Sequence, residues 1–221
     1  MCWKKCCITN TVNKMNLMID LYAGLGGASK AFLDADDWTV LQFDNNPNLL
    51  EHNPNLIMID LSNKYNIYNI LMLENLSKYD KIVIWASPPC LEFSLAYNAP
   101  GPRANREGRI FNPDITHMLN SKWIIDIINQ IHPNCTWVIE NVKGAISHFE
   151  PHLGKPRQCV NAFIMWGNFV HLNLDDETKN HKKPDPTPGP MRSNIRAKVP
   201  LGISKALLDY VKTQKRLTSY R

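Results

Sequence analysis

Cys90 stands at the end of Ser87-Pro88-Pro89-Cys90, directly after the apolar run Ile82-Val83-Ile84-Trp85. Two prolines fix φ and remove two backbone donors, so the segment neither continues a sheet nor enters a helix interior, and the thiol is presented in a set direction. That is how a nucleophile is displayed, although a lone cysteine after a tight turn also serves as a small buried hydrophobe. A second group bears on the choice. Glu140-Asn141-Val142 closes another short apolar run, Trp137-Val138-Ile139. A carboxylate beside a cysteine opposes thiolate formation. It makes chemical sense if Glu140 serves the substrate instead: a partly buried glutamate can protonate or hydrogen-bond a ring nitrogen while the cysteine attacks the adjacent carbon.

A third group points to a cofactor. Asp20-Leu21-Tyr22-Ala23-Gly24-Leu25-Gly26-Gly27-Ala28-Ser29 brings three glycines between an apolar run and a helix-like segment. Such a turn lets backbone approach a ligand closely, but its spacing is not the dinucleotide fingerprint. Asp44 and Asp60 close the next two apolar runs. A carboxylate after the second strand can accept from ribose hydroxyls. Asp60, one strand further out, can accept from the exocyclic amine of adenine, and both aspartates can alternatively cap the helices that follow. Together these residues suggest an adenosine-containing ligand held without a phosphate-binding loop.

The elements that must position these groups follow from periodicity. Short apolar runs at 17–21, 40–43, 56–59, 82–85, 137–139 and 163–166 alternate with helix-like segments at 28–35, 67–76 and 118–131. That alternation predicts an α/β chain built on a doubly wound, mostly parallel sheet, with a closing helix over 201–215. Residues 98–113, rich in Gly, Pro, Asn and Arg, and 175–194, with Pro184, Pro186, Pro188 and Pro190, read as exposed loops. A loop of the first length directly after Cys90 suits a functional lid.

The 221 residues suit one catalytic domain, 15–221, preceded by an extension over 1–14. The formal charge of +5 tilts toward polyanionic partners. No stretch has the roughly 18 apolar residues of a membrane span or the core of a signal peptide, so a cytoplasmic protein is expected. The six cysteines are irregularly spaced, and Cys2, Cys6 and Cys7 lack a second pair at zinc spacing. Neither a disulfide framework nor a metal site is expected.

With these residues in hand the chain resembles the cytosine-C5 DNA methyltransferase family. Asp20 to Gly27, Pro88-Pro89-Cys90 with Phe93-Ser94 behind it, and Glu140-Asn141-Val142 match that family's first, fourth and sixth motifs in order and spacing. The resemblance covers most of the chain from Met15. It implies the class I S-adenosylmethionine-dependent methyltransferase fold, which is Rossmann-like. It implies that S-adenosylmethionine, leaving as S-adenosylhomocysteine, lies against Asp20, Tyr22, Ala23, Gly24, Gly26, Gly27, Asp44, Asn45, Asp60, Leu61 and Pro88. Cys90 would add to C6 of a cytosine flipped out of duplex DNA, and Glu140 would contact N3 and the amino group of the base. It further implies that 98–113 is a mobile loop, with Ser94, Arg103, Arg106 and Arg109 available to DNA. Arg196-Ala197-Lys198-Val199-Pro200 resembles the family's last motif, which returns beside the first strand.

Two departures narrow the expectation. The family's Gln-x-Arg-x-Arg motif is absent in that form, and Lys155-Pro156-Arg157-Gln158 occupies its neighbourhood, so the base-assisting role passes to Arg157. The region before Arg196 is too short for a typical target-recognition domain. Residues 171–195 can supply basic contacts from Lys182, Lys183 and Arg192 but little base-edge readout. The expectation is therefore a monomeric DNA (cytosine-5) methyltransferase with short or relaxed specificity. A compact viral or mobile-element enzyme in a bacterial host, masking DNA from restriction, fits that size. C5-methylation of RNA or of a free cytosine nucleotide, and a non-catalytic nucleic-acid-binding relative, are the alternatives.

Overall fold

The computed structural model describes residues 15–182, 184 and 188–214. The 1–14 extension and Lys183 lie outside the described residues.

Seven strands form one sheet: β1 (Asn16–Leu21), β2 (Trp38–Asp44), β3 (Leu56–Met58), β4 (Ile82–Ala86), β5 (Thr136–Asn141), β6 (Gln158–Val160) and β7 (Phe163–Gly167). Their spatial order is β3-β2-β1-β4-β5-β7-β6. The pairs from β3 through β5 are parallel, while β7 runs antiparallel to both β5 and β6. The order reverses between β1 and β4, which opens a crevice at the carboxyl ends of those strands. This is the doubly wound, Rossmann-like class I fold that the sequence leads one to expect.

Eight helices complete it: α1 (Lys30–Leu33), α2 (Lys64–Leu73), α3 (Pro100–Arg106), α4 (Thr116–Ile131), α5 (Ile146–Leu153), α6 (Asp176–Lys179), α7 (Arg192–Ala197) and α8 (Leu201–Thr213), counted among the described residues. Alternate residues of the central strands face opposite layers. Leu17, Ile19, Ile82, Ile84 and Ile139 pack with Ile67 of α2, Ile124 and Ile128 of α4 and Phe149 of α5. Met18, Val83, Trp85 and Val138 pack with Phe32 of α1 and Ile203, Leu207 and Val211 of α8. Burial on both faces is why these strands read as continuous apolar runs.

Several expected boundaries change. The first helix contracts to Lys30–Leu33 because the glycine turn occupies the preceding residues. The second starts earlier, at Lys64, where the Asn63 side chain accepts from the Tyr65 N–H at 3.1 Å and caps the first turn. The stretch 98–113 is not all loop: Pro100 opens α3 at a position that needs no N–H donor, and Ala104 is buried beneath it. The stretch 175–194 likewise contains α6, capped by Asp175, and the start of α7. Strand β6 has no counterpart among the expected elements. It is three residues long and is held by pairing with β7 across a turn in which Asn161 adopts φ 53°.

Candidate active-site cleft at the carboxyl edge of the sheet

Parallel register brings the chemistry together. Ala86 of β4 pairs with Ile139 of β5, so the next residues along, Ser87 and Glu140, lie side by side. The Ser87 hydroxyl donates to Glu140 Oε2 at 2.9 Å and accepts from the Trp85 indole N–H at 2.8 Å. One residue further, Asn141 Nδ2 donates to the Pro88 carbonyl at 2.9 Å. The Ser87 N–H meanwhile donates to the Leu21 carbonyl of β1 at 3.1 Å. The proline turn is thus tied to both neighbouring strands, and Cys90 follows it at the start of a single 3-10 turn, Leu91–Phe93. Cys90 is partly exposed, and Glu140 is 7% exposed.

Gly144 fixes the second approach between these segments. A Cβ there would stand 2.0 Å from the Phe93 carbonyl oxygen, so only glycine lets the turn after Glu140 meet the turn after Cys90. On the other side of β4, Tyr22, Gly24 and Gly26 of the glycine turn all take positive φ, 60°, 54° and 67°. Tyr22 is a non-glycine residue held in a costly conformation. Its hydroxyl reaches toward the Leu61 and His117 carbonyls at 3.4 and 3.3 Å, and its ring meets that of His117 edge-on. Burial pushes its phenol well above the ordinary tyrosine range. Gly27 is needed for closeness: a Cβ would lie 2.4 Å from the Val199 carbonyl oxygen. The Lys198-Val199 segment therefore returns directly against the glycine turn.

These pieces enclose a cleft of about 370 Å³. Its walls include Asp20, Tyr22, Ala23, Gly24, Gly27, Asp44, Asn45, Pro88, Cys90 and Glu140, with Ser193, Asn194, Ala197 and Lys198 closing it from α7 and the segment after it. The volume lies within the usual range for small-molecule sites. Among the described lining residues, three carboxylates, Asp20, Asp44 and Glu140, face one lysine, Lys198, and no arginine. That set suits a cationic, hydroxyl-bearing ligand and does not suit a pyrophosphate. The residues present therefore fit S-adenosylmethionine better than a dinucleotide.

Asp20 lies 1% exposed at the floor, accepting from the Ser29 hydroxyl at 2.5 Å, while Gln42 Nε2 donates to Ser29 at 2.7 Å. Desolvation raises its pKa to about 7; the Ser29 bond opposes that rise and the Asp44 charge adds to it. Asp44 accepts from the Gly24 N–H at 3.0 Å and the Asn45 N–H at 2.8 Å, which ties the end of β2 to the glycine turn.

Other expected residues lie elsewhere. Gly26 is turned toward Gln42 and Asn53 behind the turn, and neither it nor Asp60 or Leu61 lines the cleft. Asp60 is exposed and accepts from both the Ser62 N–H and hydroxyl at 2.8 Å, which holds its carboxyl below the usual range. The cap of α2 is Asn63 rather than Asp60. Arg157 is exposed outside the cleft, its Nε donating to the Gly167 carbonyl at 3.3 Å. Ser94 accepts from the Ala96 N–H. Arg103 and Arg109 both pair with Glu107, and Arg106 lies over the Tyr97 ring at 3.7 Å. Lys182 and Arg192 are exposed. Segment 171–182 folds back onto the domain: Asn161 Nδ2 donates to the Lys179 and His181 carbonyls, and buried Thr178 meets Gly202 of α8.

Sequence reasoning missed Ser87, Ser29 and Gln42. The signal for Ser87 was its i+2 spacing from Trp85, whose buried indole N–H needs an acceptor on the same face. A second cavity of about 350 Å³ lies at the opposite edge of the sheet, beside Lys81, Cys135 and Gln214. Burial pushes the Cys135 thiol up to about 12, so it is inert where Cys90 is presented to solvent. Among the described residues no group of His, Cys, Asp and Glu could hold a metal, and no helix is long and apolar enough to cross a membrane.

No protein-family model matches the chain, and no curated protein matches it. Solved structures to which it is similar include the human methyltransferase 10 domain containing protein, 14% identical over 69% of this chain and 70% of that one, with a TM-score of 0.33. A likeness of that size carries no argument about chemistry.

Proposed function

We propose that this protein is a methyltransferase that carries S-adenosylmethionine in the cleft and methylates C5 of cytosine in DNA, with Cys90 as nucleophile. The observation that carries the reading is the junction of the proline turn with β5: the segment bearing Cys90 and the strand bearing Glu140 are cross-linked by the Ser87–Glu140 and Pro88–Asn141 hydrogen bonds beside a carboxylate-lined cleft.

In this reading the Cys90 thiolate forms a bond to C6 of a flipped-out cytosine, and the C5–C6 π electrons move into the ring. Glu140 holds a proton against N3 and accepts from the exocyclic amine, which offsets the negative charge that develops. When bound, S-adenosylmethionine supplies an electrophilic methyl group to the C5 carbon so activated. Loss of the C5 proton to water, return of the proton at N3 to Glu140 and cleavage of the Cys90–C6 bond then restore the aromatic ring, the carboxyl and the thiolate.

DNA carrying 5-fluorocytosine provides the test, because fluorine at C5 cannot be abstracted as hydrogen is, so the elimination that frees Cys90 is blocked. With S-adenosylmethionine present, the native protein is expected to form a covalent complex that survives denaturing electrophoresis, and Cys90→Ser is expected to form none. Absence of the complex with native protein would overturn the reading. Substrate class has its own arm. The fold-back of 171–182 onto α8 leaves little chain for reading duplex bases, which favours testing RNA and free cytosine nucleotides beside duplex DNA. Methylation that is fastest on duplex DNA supports the primary reading, and methylation confined to RNA or nucleotides replaces it.

A further inference from the structure

The hydroxyl between Trp85 and Glu140 has its direction set by chemistry. An indole N–H can only donate, so at 2.8 Å from Trp85 Nε1 the Ser87 oxygen acts as acceptor there, and toward the ionised Glu140 carboxylate, which can only accept, its own hydrogen is donated to Oε2 at 2.9 Å. Neither end is adjustable. Trp85 is fully buried between β1 and β5, while the Ser87 backbone is held by Leu21 and the next carbonyl by Asn141. While the Ser87 O–H donates to Oε2, that oxygen cannot itself carry a proton toward Ser87, so a proton taken up by Glu140 with this bond intact is placed on Oε1.

We propose that Ser87 is a positioning residue that fixes which oxygen of Glu140 carries the proton delivered to the substrate ring. Trp85 holds the Ser87 oxygen in place by donating to it. The inference rests on the reading of Cys90 and Glu140 as substrate groups, and it adds a three-residue device, Trp85–Ser87–Glu140, that sets the carboxyl's rotamer and protonation geometry before substrate arrives. A hydroxyl donated to a carboxylate favours its charged form, so removing the hydroxyl raises the pKa of that carboxylate.

The test compares native protein, Ser87→Ala and Ser87→Thr in two measurements. The first is the rate of covalent complex formation on 5-fluorocytosine DNA across pH 5 to 9. Ser87→Ala is expected to slow it by up to about a hundredfold, the scale of a displaced catalytic group. Its pH profile should move to higher pH, and Ser87→Thr should restore both rate and profile. The second measurement needs no activity: the Trp85 indole N–H resonance in ¹⁵N-labelled protein, assigned by its loss in Trp85→Phe. It is expected to titrate with Glu140 in native protein and to stop doing so in Ser87→Ala. A native protein that forms the complex, with a Ser87→Ala rate within twofold and an unmoved profile, overturns the inference and leaves the function standing. A native protein that forms no complex overturns the function, and the inference falls with it unless the indole resonance still follows Glu140 through Ser87.

Discussion

With Ser29 as its donor and Asp44 as its like-charged neighbour, Asp20 enters the fold as a carboxyl whose ionisation burial opposes. Its pKa is about 7 in the folded chain against an ordinary 3.8, so between roughly pH 4 and 7 the native state keeps a proton that the unfolded state has released. Stability of the ligand-free protein should therefore fall as pH rises through that window, with a slope approaching about 1.4 kcal/mol per pH unit. Asp20→Asn should flatten the dependence, and urea denaturation at pH 5, 6, 7 and 8 measures both. A cationic ligand against Asp20 favours the ionised form, so calorimetry should show S-adenosylmethionine affinity rising up to about pH 7 in native protein but not in the variant. At this scale the sequence marks Cys90, Glu140 and Asp20 because unusual residue types sit next to recognisable turns, and the structure brings all three to one cleft. It was silent on Gln42, which resembles any polar residue in an apolar run until register sets it beside Asp20.

Two of the close approaches around the cleft depend on Gly27 and Gly144, neither of which has room for a methyl group. Gly27→Ala drives its new carbon against Val199 main chain, 2.4 Å from the carbonyl oxygen and 2.7 Å from the nitrogen, neither of which can swing aside. Overpacking of this kind typically costs about 1–3 kcal/mol. Thermal denaturation should show that loss, and S-adenosylmethionine titration should show weakened binding, because the substitution separates the glycine turn from Lys198. Gly144→Ala should instead leave cofactor titration near native while slowing adduct formation, since its clash is with Phe93 behind Cys90. The central strands were legible because burial on both faces writes itself as apolar runs. Helix α3 was not, because prolines at Pro100 and Pro102 signal a loop unless they fall in a first turn. Strand β6 was not, because Gln158 and Cys159 carry no alternation and the strand exists only through its partner.

Over the whole molecule, charge is arranged less freely than the net +5 suggests. Two of the three arginines within residues 98–113, Arg103 and Arg109, are paired with Glu107. Glu107→Gln should release them, barely change thermal stability, and tighten binding to duplex DNA. Fluorescence anisotropy over a series of salt concentrations should then show a steeper dependence, by about 0.9 in the logarithmic slope for each phosphate gained. An unchanged slope would argue against phosphate contacts by these arginines. The order of the sheet reaches further, into the way the chain is made. Strand β7 lies between β5 and β6, so β5, which carries Glu140, keeps an open edge until residues 163–167 have been synthesised and inserted beside it. On the ribosome the proline turn and Glu140 emerge well before that edge is closed. A nascent chain stalled short of Gly167 thus displays an open hydrophobic strand edge where the finished protein has its cleft, which makes this interval one of exposure to aggregation and to chaperones.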